Sequence, residues 1–353
     1  MDGIDAVLVD LSANQAEILA ANTFPWSVTL GERLQAAARG TFLNADQFAQ
    51  LDAETGRALA DAALKIIRGH DAGLVHAIGS HGQTLAHAPA AEPPYTLQMG
   101  NAAWISELTG ITTVADFRLR DVAAGGQGAP LVPAFHESLF HSPKEDRVVI
   151  NIGGIANITH LPAENAQAVS GFDTGPGNCL MDHWTKLHQG QPYDADGRFG
   201  AQGTVDRQLL AKMLADPYFA AAPPKSTGTD YFSGQWINEK IGSLNIEPAN
   251  VQATLAALTA RTIADAIRHQ YRAAPAQALV CGGGAHNTVL MQALAAEMPC
   301  PVQSTAAMGI DPDWVEAVAF AWLAKQTLKG LPGNLPAVTG AAGPRVLGAI
   351  FPA

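Results

Sequence analysis

Apolar and polar positions alternate at the start of the chain. Ile4, Ala6 and Leu8 share one face and Val7 and Val9 the other, which predicts a strand with both faces partly buried. Residues 11–30 read as hairpin material broken at Pro25. Helical spacing follows over 31–39 and 45–69, where Phe48, Leu51, Leu59, Ala62, Ala63, Ile66 and Ile67 recur on one side. A short strand is expected at 74–78, a helix at 101–109 and a strand at 112–115. The segment 121–133 is rich in Gly, Ala and Pro and reads as an inter-domain crossing. Two β-branched runs, 147–152 and 155–160, flank Gly153-Gly154 and predict a β-hairpin. A strand near 167–172 leads into a helix at 179–188. A long helix at 251–271 precedes a strand at 278–281, with further helices at 288–298 and 313–328 and a Pro/Gly-rich tail. Strands alternating with helices, with glycine turns at strand ends, predict an α/β protein, and the hairpin makes its sheets mixed.

Composition narrows the function. The chain has 353 residues, 48% of them hydrophobic, enough for two domains with real cores. Lys and Arg number 21 against 32 Asp and Glu, so the net charge is −11 and a nucleic-acid partner is not expected. No run of eighteen apolar residues occurs, so no membrane partner is expected either. The three cysteines, Cys179, Cys281 and Cys300, form no Cys-x-x-Cys pair. That fits a reducing cytoplasm and argues against a structural zinc site.

Several signatures are absent. There is no P-loop, and Gly282-Gly283-Gly284-Ala285-His286-Asn287 has Asn where a dinucleotide fingerprint has its third glycine. His136 and His141 are five apart, about 140° around a helix, and cannot share one metal. No histidine cluster at ligand spacing occurs. Three glycine-rich turns remain, at 151–157, 171–178 and 281–287. Each alone reads as a tight turn; three together favour a nucleotide cleft, because glycine lets backbone N–H groups approach phosphate.

Asp173 is the sharpest single residue. It ends a predicted strand ahead of Thr-Gly-Pro-Gly-Asn, with Asn178 expected to cap the following helix. The positive end of that helix would favour an ionised carboxylate able to act as general base. An Asx-turn serves equally well as an explanation. Asp116 and Arg118 suit a polar substrate or a surface ion pair. Ser80, His81 and Gln83 read as cleft donors and acceptors or as a plain loop. Glu316 reads as a helix-start charge, 225–230 as a flexible loop, and Cys179 as a thiol lowered by the helix start or simply buried.

The motifs together resemble the anhydro-N-acetylmuramic acid kinase family. The resemblance rests on Asp2-Gly3-Ile4-Asp5, Ser80-His81-Gly82-Gln83-Thr84, Ala115-Asp116-Phe117-Arg118, residues 125–133, Asn151-Ile152-Gly153-Gly154-Ile155-Ala156-Asn157, Phe172-Asp173-Thr174-Gly175-Pro176-Gly177-Asn178 and Gly282-Gly283-Gly284. It implies a two-lobed actin-like (RNase H-like) α/β fold with a nucleotide cleft between the lobes. The lobe limits expected are 1–125 with 335–353, and 126–334. It implies a cytoplasmic homodimer of cell-wall recycling that uses ATP and Mg2+. Such an enzyme opens 1,6-anhydro-N-acetylmuramic acid with water and phosphorylates O6, giving N-acetylmuramic acid 6-phosphate and ADP. Asp173 then maps to the general base. Asp2, Gly3, Asp5, Gly153, Gly154, Asn157, Gly175, Gly282, Gly283 and Gly284 map to ATP contacts. Ser80, His81, Gln83, Asp116, Arg118 and Glu316 map to sugar contacts, and no protein cluster is expected to hold the metal.

One departure stands out. The family's first phosphate loop reads Gly-Thr-Ser-x-Asp-Gly, and here Met1 occupies the x position. The expectation is a true start upstream of Met1, restoring a strand and half of a phosphate clamp. Two other functions compete, the first of them on the basis of this departure. One is an actin-like binding protein without turnover, and the other a sugar kinase of the same fold acting on a free hydroxyl.

Overall fold

The computed structural model describes residues 3–12, 15–164, 168–223, 225–271 and 274–353. The chain forms two compact units, residues 1–139 with 316–353, and residues 140–315. These limits differ from those expected at 125 and 335. The Gly/Ala/Pro segment is not a crossing: it holds helix Leu119–Ala123 and the start of helix Val132–Phe140. It is tied to residues 334–342 of the same unit, for instance by Gln127 N–H to Thr339 O at 2.7 Å and Ala342 N–H to Ala124 O at 2.9 Å. Buried donors need partners, and the tail supplies them.

The unit spanning 140–315 is built on one five-stranded mixed sheet. Its order is Val302–Ser304, Gln277–Cys281, Arg147–Ile152, Ile155–Leu161, Ser170–Pro176. The first two pairings are parallel and the last two antiparallel. The expected hairpin around Gly153-Gly154 is present, with Arg147 opposite Leu161. Strand alternation sends Val148, Ile150, Ile152, Ile158 and Phe172 into one hydrophobic core. Helix Pro248–Gln270 closes that core with Val251, Leu255, Ile263 and Ile267. The intervening positions Asn151, Asn157 and Asp173 therefore lie on the opposite face of the sheet.

The other unit holds three small sheets. Ile4–Asp10 pairs antiparallel with Glu17–Phe24, as the opening alternation predicts. Gln83–Ala88 and Tyr95–Met99 form a hairpin that the sequence does not announce. Thr113–Ala115 lies between Ile78–Gly79, parallel, and Ala349–Phe351, antiparallel. The strand expected at 74–78 is only its last residue plus Gly79, because Asp71 caps a short turn at Ala72–Leu74 instead. Helix Ala45–Ile67 starts at a capping box in which Asn44 and Gln47 exchange side-chain and backbone bonds. Among the described residues no helix is long and apolar enough to cross a membrane.

Candidate active site

The 140–315 unit gathers a polar row across four strands. Cys281 pairs with Asn151, Asn151 with Asn157, and Asn157 with Asp173. A bulge between Ala156 and Asn157 sets this last pairing. Residues directly opposite each other share a face, so the three polar side chains stand side by side on the sheet surface away from the core. Sequence motifs predict Asn157 and Asp173 here. Asn151 opens the same motif without an assigned role, and one Asn in the apolar run Val-Val-Ile-Asn-Ile carries the signal.

Asp173 is held at its N–H, its carbonyl and one carboxylate oxygen by a segment far away in sequence. Thr227 N–H donates to its Oδ2 at 3.1 Å, and Tyr218 Oη–H donates to its carbonyl at 2.7 Å. Its own N–H donates to Lys225 O at 3.3 Å. Lys225 Nζ in turn donates to the carbonyls of Tyr218 and Phe219. Residues 225–227 are thus a clasp on the carboxylate rather than the loose loop that their composition suggests. Burial raises the Asp173 pKa above the usual carboxylate range, and the Thr227 N–H only partly offsets it. The helix end is expected to do the reverse. Two N–H groups at its start are spent elsewhere: Asn178 N–H donates to Gly153 O and Cys179 N–H to Gly154 O, as does Gly177 N–H just ahead of the helix. Asn178 does not cap the helix either; its Nδ2 donates to Ile152 O at 3.0 Å. Nor is Cys179 activated, since burial pushes its thiol up to about 12.

The candidate glycines sort into two groups. Gly175 and Gly282 have φ of +146° and +79°, and a Cβ on Gly282 or Gly284 would lie 2.6 or 2.3 Å from Asn151 or Ile152. The fold itself demands these glycines. A Cβ on Gly153, Gly154 or Gly283 would meet nothing closer than 3.5 Å. Packing within the chain leaves those three open, as expected of backbone that a ligand approaches.

The other unit assembles the sugar candidates. Arg118 Nε–H donates to His81 Nε2 at 2.9 Å, and its Nη1–H to Gly128 O at 2.8 Å. His81 Nε2 accepts, so its proton sits on Nδ1 and goes to Gly82 O at 2.9 Å. Burial, seconded by the neighbouring guanidinium, lowers the His81 pKa to about 3, so the ring is neutral. It packs 4.6 Å from the ring of Phe320. Glu316 lies in the first turn of helix Val315–Leu328. Burial raises its pKa, the nearby Arg118 opposes this, and the Asp5 carboxylate adds to it. Arg118, His81, Glu316 and Asp5 therefore form one electrostatic group. Asp5 itself accepts from Thr23 Oγ1 at 2.6 Å.

Asp116 has φ +58°, the left-handed region, at a cost of roughly 1–2 kcal/mol for a residue with a Cβ. Burial raises its pKa and the neighbouring Asp52 carboxylate raises it further. Asp52 is a residue the motifs give no reason to pick. It is bound to Gly100 N–H and Asn101 Nδ2 at 2.8 and 3.1 Å. Ser80 is buried with its N–H on Val114 O, and Gln83 begins the 83–88 strand with its amide on Thr84 O. Gly3 packs against Thr23 and Phe24. Asp2 lies outside the described residues.

Comparison with known proteins matches this arrangement of motifs over the full chain. The family model described as "Anhydro-N-acetylmuramic acid kinase" covers residues 1–353. The anhydro-N-acetylmuramic acid kinase of Xanthomonas campestris pv. campestris (strain 8004) is 53% identical, over 100% of this chain and 94% of its own length. Those of Photobacterium profundum and Coxiella burnetii (strain Dugway 5J108-111) are 46% and 45% identical. They cover 100% and 99% of this chain, and 96% and 94% of their own lengths. Matched from end to end by the family model and at half its positions by a full-length relative, this chain belongs to the anhydro-N-acetylmuramic acid kinase family.

Proposed function

We propose that this kinase opens 1,6-anhydro-N-acetylmuramic acid with water and transfers the γ-phosphoryl group of ATP to O6. The observation that carries the proposal is Asp173, a clasped, half-buried carboxylate in a row with Asn151 and Asn157. One carboxylate oxygen is held by Thr227 N–H, which fixes the group in one orientation and leaves its other oxygen for a water. Asp173 takes a proton from that water as the oxygen attacks C1. The C1–O6 bond breaks, and O6 takes the phosphoryl group in line while ADP leaves. The products are N-acetylmuramic acid 6-phosphate and ADP, with the proton on Asp173.

Gly153, Gly154 and Gly283 suit the polyphosphate, because their backbone is free of side-chain obstruction. Arg118, His81, Asp116 and Glu316 suit the sugar, with Ser80 and Gln83 beside them. Among the described residues no group of three or more His, Cys, Asp or Glu is placed to hold a metal. A magnesium ion would enter with the nucleotide, ligated by phosphate and water. It would neutralise charge on the phosphate oxygens. A cytoplasmic homodimer working in cell-wall recycling completes the proposal; the oligomer is read by sedimentation.

The test is turnover in heavy-oxygen water. One ADP should form per sugar, and the label should appear at C1 of the product. The product is reduced with borohydride at once, ahead of exchange of the anomeric oxygen. Phosphorylation without label at C1 would mean transfer to a free hydroxyl, and binding without ADP formation would mean a clamp.

A further inference from the structure

Asp121 is a completely buried acid for which the reaction above has no use. It sits in helix Leu119–Ala123, three residues after Arg118. Among the described residues no ion pair includes it. Its two oxygens instead collect three donors. Oδ1 accepts from Asn334 Nδ2 at 2.7 Å and Thr339 Oγ1 at 2.8 Å. Oδ2 accepts from Gly128 N–H at 2.8 Å. Gly128 is the link, because its carbonyl accepts from Arg118 Nη1. It has φ +66°, and a Cβ there would lie 2.7 Å from Val122, so the loop cannot easily take another residue or another course.

We infer that Asp121 is a positioning residue for the sugar-binding guanidinium. It locks Gly128, and Gly128 together with His81 fixes Arg118 at Nη1 and Nε. The chain's last segment takes part in the lock through Asn334 and Thr339. This inference rests on Arg118 being a sugar contact. A carboxylate is required because all three partners donate. Asn334 cannot turn its amide round, since its Oδ1 already accepts from Arg345 N–H at 2.7 Å. An amide at 121 would set its NH2 against a donor on one side or the other. Gly126 is packed on the same carboxylate, where a Cβ would lie 2.2 Å from Oδ2.

The test is a swap. Asp121→Asn should lower kcat/KM for the sugar by a factor of about 10 to 100 while leaving the KM for ATP unchanged. Asn334→Asp alone sets two carboxylates together and should do the same. The double variant Asp121→Asn with Asn334→Asp restores the pairing between the two side chains, at the loss of the long Asn334 Nδ2 bond to Gly343 O at 3.4 Å: the amide oxygen introduced at 121 takes Gly128 N–H, and the amide NH2 donates to the carboxylate introduced at 334. It should recover most of the loss, and it keeps the test open should either single variant fold poorly. The 15N shifts of His81 give a second readout that needs no substrate. The native ring should show a proton on Nδ1 and an accepting Nε2, and Asp121→Asn should move it toward a mixture of tautomers. A folded Asp121→Asn variant with unchanged His81 shifts, or a double variant no better than the singles, overturns the inference. Altered His81 shifts with unchanged sugar kinetics would overturn it too, by removing Arg118 from the sugar site while leaving the lock in place.

Discussion

Replacing Asp173 by Asn should lower kcat by a factor of about 10² to 10⁴, the range a general base supplies. The protein should remain folded. Asn keeps an oxygen to accept from Thr227 N–H, and the bonds from Tyr218 Oη–H to the backbone carbonyl and from the backbone N–H to Lys225 O do not involve the side chain. The pH dependence makes the test specific. The base works only when ionised, and burial raises its pKa above the ordinary 3.8. The native enzyme should therefore lose kcat/KM as pH falls through that raised value, and the residual activity of the Asn variant should lack this acid limb. Stability should move the other way. A carboxyl whose folded pKa is raised is more costly to hold once ionised, so at pH 7 the Asn variant should melt no lower than the native chain. That advantage should shrink as pH falls through the raised folded pKa and vanish below the unfolded carboxyl pKa near 3.8. An acid limb unchanged in the variant would assign the proton transfer to another group.

The sheet of the 140–315 unit was legible because its signals are local. Val148, Ile150 and Ile152 alternate with Val149 and Asn151, and Gly153-Gly154 marks the turn back to Ile155. Asp173 was legible for a similar reason, as one acid ahead of Thr-Gly-Pro-Gly-Asn, although the strand runs on through it to Pro176. What closes around it was not. Tyr218, Lys225 and Thr227 lie about 50 residues away, and nothing in their own neighbourhood says which strand they will meet. The same limit hid Asp121, whose partners at 334 and 339 are more than 200 positions distant. Periodicity also misleads where a cap competes with it. Leu74 fits a strand pattern, yet Asp71 takes Gly73 N–H and makes a turn instead. Burial outweighs the helix-end effect expected at Asp173, and two N–H groups at that helix start, those of Asn178 and Cys179, already donate to Gly153 and Gly154. The carbonyls that spend that charge belong to a different motif, about 20 residues upstream. The sequence picks out candidate residues; it does not show which backbone groups are still free to act on them.

Asp216→Ala should cost about 3–5 kcal/mol, the scale of breaking a buried ion pair by removing one partner. Asp216 is buried and serves four donors: Lys240 Nζ at 2.9 Å, Trp236 Nε1 at 2.9 Å, Tyr231 Oη at 2.8 Å and Tyr218 N–H at 3.1 Å. Alanine leaves all four without it, in the aromatic cluster of Tyr218, Phe219, Tyr231, Phe232 and Trp236. Burial by itself would raise the Asp216 pKa, but the bonds from Lys240, Trp236, Tyr231 and the Tyr218 N–H together hold it below the usual range. A depressed folded pKa contributes stability that is full above the unfolded value near 3.8 and is lost as pH falls through the folded one. The gap in melting temperature between the native chain and Asp216→Asn should therefore be widest near neutrality and narrow below pH ~4. A gap that does not change with pH would show that the carboxylate acts only by filling space. The variant should also lose activity beyond its loss of stability. Tyr218 hangs from Asp216 by its N–H and holds the Asp173 carbonyl by its hydroxyl. Tyr218→Phe separates the two effects. It keeps the backbone bond to Asp216 and the ring packing but removes the hydroxyl, so kcat should fall while the melting temperature changes by only a few degrees, about 1 kcal/mol for a single hydrogen bond. If Tyr218→Phe keeps full kcat, Asp216 stabilises the unit without helping to place the base.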